Sequence, residues 1–185
     1  LAVGGPVLDA LPGEPIAITD NLLQFAEAPP GRPPGRINHV PGCNLAIKKS
    51  LFFRVGGFPD EPAEDVKFSV MLNRIQPEGY YFAPGMQIAH TGRTTWVDFL
   101  EHQRNFGYLR GYYRLLVSER QVKLGKHLAA VPFVVLKRLF YITRVVIKWN
   151  LKSIFRDILL LPLILVGLTA WAVGYRQGCL DNMKD

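Results

Sequence analysis

Two carboxylates and one imidazole stand where chemistry is possible. Glu64 and Asp65 follow the turn at Pro62 and open a stretch whose apolar positions, Val66, Val70, Met71 and Ile75, have helical spacing. His90 closes the short apolar run from Met86 to Ala89 and precedes Thr91-Gly92-Arg93-Thr94-Thr95. A carboxylate can accept a proton from a hydroxyl, and an imidazole can carry a proton or bind a metal ion. Each also has a plain structural account. Acids in a first helical turn face the positive end of the helix, and a single His at a strand end can simply be hydrogen-bonded in place. Spacing alone leaves both accounts open. Arg93, Arg104, Arg110 and Arg114 could meet phosphates, and the last three equally read as solvated charges between buried aromatics.

The elements that would position these residues are short. Residues 1–8 read as an apolar strand broken at Gly4-Gly5-Pro6. Residues 9–36 are rich in Pro and Gly, and the cluster from Ala28 to Gly35 reads as a loop, because Pro lacks an N–H and Gly resists ordering. Asn21 to Glu27 reads as a short helical turn between the two clusters. Val40 to Leu45 is expected to be a strand entering a turn at Gly42. Lys48 to Val55 reads as a helix stopped by Gly56-Gly57, and Ala63 to Ile75 as the helix that carries Asp65. Tyr80 to Ala83 and Met86 to Ala89 are expected to be strands around Pro84-Gly85. Thr95 to Arg120 is helical and aromatic in pattern.

The formal net charge of +7 is unevenly distributed. Residues 1–100 carry −2, residues 101–156 carry +10 and residues 157–185 carry −1. The basic block sits directly before the most apolar run, which points to an anionic membrane surface rather than to nucleic acid. Cys43 and Cys179 lie far apart and show no metal-type spacing; Cys43 reads as a small buried thiol, and His39, His102 and His127 as structural. The chain begins without Met inside what looks like a strand, so it is expected to be a fragment of a longer protein.

Ile158 to Tyr175 contains no charge and would span about 27 Å as one helix, close to the hydrocarbon thickness. Arg156 and Arg176 flank it, and a membrane span is expected there. Leu128 to Ile147 is apolar but holds Lys137, Arg138 and Arg144. At about 3 kcal/mol each near the bilayer centre, these cations outweigh the roughly 4–7 kcal/mol its apolar side chains return. A helix lying in the interface fits better, with packing on its own domain as the alternative. Lys and Arg crowd the side before Ile158, which places residues 1–156 on the cytoplasmic face of the inner membrane.

Four motifs in order carry a resemblance: Gly42-Cys43-Asn44-Leu45-Ala46, Val55-Gly56-Gly57-Phe58, Glu64-Asp65-Val66, and His90 to Thr95. Together they resemble the C-terminal half of family 2 glycosyltransferases with the GT-A fold, over about residues 1–115. The resemblance implies an α/β fold: a partial GT-A (nucleotide-diphospho-sugar transferase) domain lacking its N-terminal nucleotide-binding half. That domain would be followed by amphipathic and transmembrane helices. It implies that Asp65, with Glu64 beside it, is the general base toward a hydroxyl acceptor, either a glycan or lipid-linked. It implies that His90 neighbours or binds a divalent metal, Mg or Mn, held mainly by the absent half. Gly42, Asn44 and Arg93 would face the nucleotide-sugar donor and the acceptor, and transfer would invert the anomeric centre.

The chain also departs from that pattern. No Asp-x-Asp occurs in it, and neither does the Gln-x-x-Arg-Trp motif of processive synthases. The expected organisation is an acceptor-side half at 1–120, basic interfacial helices at 121–157, a transmembrane helix at 158–176 and a short tail at 177–185. The competing expectation is a non-catalytic, membrane-anchored interaction module that keeps a remnant of the fold.

Overall fold

The protein is described from a computed structural model covering residues 1–113, 116 and 118–182. It is mixed α/β, with small mixed sheets, helices and one long apolar C-terminal helix. The chain divides into two compact units, residues 1–8 with 27–90, and residues 9–26 with those from 91 onward. The chain leaves the first unit after residue 8 and returns to it at 27.

In the first unit, β1 (Ala2–Gly4) is followed by β2 (Val7–Asp9), whose last residue falls at the division. The chain then makes α1 (Pro15–Phe25), which belongs to the second unit, and returns as β3 (Gly35–Ile37). A 3-10 turn at Gly42–Asn44 leads into β4 (Leu45–Ile47), α2 (Lys49–Val55), α3 (Glu64–Ile75), β5 (Tyr80–Phe82) and β6 (Ile88–His90). The main sheet has the order β3-β5-β1-β4. Its central pair is parallel, Ala2 opposite Tyr80 and Gly4 opposite Phe82, and its outer pairs are antiparallel. β2 and β6 form a separate ribbon. Phe68 and Leu72 of α3 pack with Tyr80, Phe82, Val40 and Leu51 in a core from which water is excluded. Burying such side chains contributes about 1.5–3 kcal/mol each.

One expectation fails here for a local reason. Val40 to Leu45 is not a strand; the 3-10 turn occupies its end, and pairing begins only at Leu45. The Pro-rich stretch is a loop as far as residue 34, but it is tied to the sheet. Ala28 is buried and accepts a hydrogen bond from the Val7 amide, and Gly35–Ile37 adds an edge strand, the one place in a sheet where neighbouring prolines do no harm.

The second unit is helical. After α1 come α4 (Trp96–Tyr112), α5 (Glu119–Gly125), α6 (Ala130–Trp149), a 3-10 turn at Leu151–Ser153, α7 (Ile154–Leu159) and α8 (Leu161–Leu180). Sequence placed only a turn at 21–27, but Pro15 at the first position, where its missing N–H costs nothing, starts an eleven-residue helix. Thr95 caps α4 by accepting from the Asp98 amide, and Ser118 with Gln121 forms a capping box on α5. Sequence joined residues 158–175 into one helix. The chain instead breaks at Leu160, ahead of Pro162, and the long helix starts at Leu161.

The tightest packing lies between α4 and α8, which share two Gly-x-x-x-Gly faces, Gly107 with Gly111 and Gly174 with Gly178. A Cβ added at Gly107 would sit 1.8 Å from the Trp171 carbonyl oxygen, and one at Gly174 would sit 1.9 Å from that of Arg104. At Gly178 it would lie 2.1 Å from the Tyr108 oxygen and at Gly111 2.3 Å from that of Tyr175. Contacts advance in the same direction on both helices, so they run parallel with backbones touching. Small-residue faces of this kind allow close helix approach. α6 leans on the same group through Ile142 and Val146, and the Arg138 guanidinium lies 4.0 Å from the Trp171 ring. Among the described residues α8 alone is long and apolar enough to cross a membrane, and half of that stretch is buried within the protein.

Candidate functional site

Asp65 stands at the second position of α3, half-buried. The residue before the helix, Ala63, offers no capping side chain and lies in left-handed conformation, with φ at 63°. Asp65 itself captures two backbone amides. Its Oδ1 accepts from the Val66 N–H at 2.7 Å, and its Oδ2 accepts from the Gly42 N–H at 3.1 Å. Gly42 must be glycine for this approach, since a Cβ there would lie 2.8 Å from the Asp65 Cβ. Two of the residues singled out from sequence, 23 positions apart, are thus joined directly. Each oxygen keeps lone-pair capacity for another donor.

Asn44 serves differently from its expected place in a substrate-facing wall. It is buried, and its side-chain amide donates to the Pro6 oxygen at 3.1 Å and the Met86 oxygen at 2.7 Å. Those two carbonyls sit just before β2 and β6. The 42–44 turn therefore ties the start of α3, through Gly42, to the ribbon that carries His90, through Asn44. His90 ends that ribbon, half-buried. Glu64, the first residue of α3, is exposed.

Behind Asp65 lies a polar chain that sequence did not reveal. Ser69 Oγ donates to the Asp65 carbonyl at 2.9 Å. The Tyr80 hydroxyl lies 3.0 Å and His39 Nδ1 2.7 Å from the same Ser69 oxygen, within hydrogen-bond distance. Burial pushes the Tyr80 phenol above its ordinary value against the pull of Ser69, and the Asp65 charge adds to the rise. Cys43 is exposed rather than buried as expected, and partial desolvation with the nearby Asp65 carboxylate holds its thiol above the ordinary value. Lys67, two residues beyond Asp65, is buried and paired with Glu61.

A divalent ion needs several ligands. Among the described residues no three His, Cys, Asp or Glu side chains cluster to hold one. His90 offers at most one ligand, so these residues do not by themselves fit a metal centre.

Arg93 lies in the second unit, in a cluster around Asp20 of α1. Asp20 is fully buried. Its Oδ1 accepts from His102 Nδ1 at 2.8 Å and Gln103 Nε2 at 2.9 Å, both on α4. Its Oδ2 accepts from the Arg93 backbone N–H at 3.2 Å, with the Arg93 guanidinium at 3.5 Å. Burial alone would raise the carboxyl, but His102, Gln103 and the Arg93 amide outweigh it and hold the group below its usual range. His102 thereby has a definite partner. Gly92 fits against the Ala17 carbonyl, 2.3 Å from where a Cβ would stand, so α1, α4 and the 91–94 segment close around one charge. Arg104 and Arg110 are exposed on α4, and Arg114 lies outside the described residues.

An open hollow on the first unit is lined by Asn38, Val70, Asn73, Arg74, Pro77 and Glu78, none of them a candidate site residue. Compared with known proteins, the chain matches no family model, no curated protein and no solved structure.

Proposed function

We propose that this chain is the acceptor-side half of an inverting family 2 glycosyltransferase of GT-A type, acting at the cytoplasmic face of the inner membrane. It would transfer a sugar from a nucleotide-sugar donor to a hydroxyl of a glycan or lipid-linked acceptor in cell-envelope glycan or glycolipid synthesis. The observation that carries this reading is the half-exposed Asp65 carboxylate, oriented by the Val66 and Gly42 amides at the start of α3. In the step it would perform, the acceptor oxygen bonds to the anomeric carbon as the bond to the diphosphate oxygen breaks. The acceptor proton passes to Asp65. A positioned base of this kind is typically worth 10²–10⁴-fold. The donor and its ion require a nucleotide-binding half outside these residues.

The test is sugar transfer by the full-length protein carrying Asp65→Asn. The amide keeps an oxygen for the Gly42 N–H but is a far weaker base, so transfer should fall about 10²–10⁴-fold with folding preserved. An unchanged rate removes Asp65 from the mechanism. A second reading, a non-catalytic membrane-bound module, is favoured by the lack of a ligand cluster among the described residues. It expects no transfer by the unaltered full-length protein.

A further inference from the structure

From the second unit we infer that the protein seats on anionic phospholipid as an in-plane, monotopic body, and that α8 does not cross the bilayer. The inference rests on the membrane part of the function proposed above and fixes its geometry. α6 has three sectors. One, with Ile142 and Val146, is buried against the protein. A second, Phe133, Leu136, Phe140 and Ile147, recurs at spacings of three, four and seven and is exposed, at 68%, 64%, 70% and 54%. The third, Lys137, Arg144 and Lys148, runs beside the second and is also exposed. The chain then continues in apolar vein: Phe155 of α7 is 80% exposed and Leu159 is 81% exposed. An apolar ridge edged by bases is complementary to an acyl boundary beneath anionic headgroups.

The α4–α8 contact decides between lying and crossing. The span Trp171–Cys179 lies backbone to backbone on α4, so whatever surrounds α8 there must also surround α4. α4 exposes Asp98, Glu101, Arg104 and Arg110. Charges on a lipid-facing helix are strongly disfavoured. A spanning α8 would carry these four toward the hydrocarbon, or else strip apart the most closely packed helix pair in the unit. With the ridge sunk and α4 in water, neither happens.

The experiment uses the full chain with sealed vesicles of phosphatidylglycerol and phosphatidylcholine, read by flotation and by a membrane-impermeant maleimide. Flotation should require phosphatidylglycerol. It should weaken at least tenfold with Phe155→Asp plus Leu159→Asp, and again with Lys137→Glu plus Arg144→Glu. These side chains are exposed, so thermal unfolding should not move. Cysteine placed by Asp181→Cys should label from outside together with the exposed native Cys43. Label at Cys43 but not at residue 181 in floated protein overturns the in-plane seat while leaving membrane binding intact. No flotation overturns both. A lipid-free dimer dispersed by the Phe155/Leu159 change, with flotation unaffected, assigns the ridge to a second copy and overturns the inference.

Discussion

Two aspartates, one in each unit, show how surroundings divide roles within one residue type. Asp20 is sealed, its oxygens met by His102, Gln103 and Arg93, and nothing can approach it. Asp65 is half-open, and its oxygens accept from two backbone amides that fix its direction without closing it off. A saturated buried carboxylate locks elements together. An oriented, accessible one can take a proton. Both residues sit on helices, and what separates their roles is the set of partners each meets in the fold.

The largest expected effect follows from closing this comparison on the open side. Asp65→Asn should cut transfer 10²–10⁴-fold while shifting stability little, whereas Asp20→Asn should do the reverse. An amide at position 20 aims donors at donors and leaves Arg93 without its charge, which costs on the order of 3 kcal/mol. Chemical unfolding of the two variants beside their activities tells the roles apart, and equal effects on both measurements would end the distinction. Next in size is Gly42→Ala. It drives a methyl into Asp65, and a displaced base should lower transfer by about tenfold to a hundredfold.

Acid sharpens the contrast further. The folded Asp20 carboxyl lies below its unfolded value, so its contribution is complete above the ordinary carboxylate range, near pH 4, and is lost as pH falls through the folded value. Melting temperature measured downward from neutral should hold and then drop below about pH 4, and Asp20→Asn should remove that component. The smallest effect belongs to Ala63, where glycine relieves the left-handed conformation and should add about 1 kcal/mol in denaturant unfolding.

Much of the first unit was legible because its signals are local. The Gly56-Gly57 stop, the acids that open α3 and the Pro84-Gly85 turn each act within a few residues. The Asp20 cluster was not, since its partners lie 73, 82 and 83 residues along the chain and α1 is flanked by prolines that suggest a loop. The function of Asn44 was hidden for the same reason, its acceptors being 38 and 42 positions away. The α4–α8 seam is another matter. Gly107-Tyr108-Leu109-Arg110-Gly111 and Gly174-Tyr175-Arg176-Gln177-Gly178 stand in plain view, but the charges on the first masked it as a packing face.

That seam bears on anyone who would trim the chain to make it easier to handle. An apolar C-terminal helix invites removal as a disposable tether. Here cutting it away would bare a strip of closely covered backbone along α4, at Arg104, Tyr108 and Tyr112, and the shortened product should clump rather than dissolve.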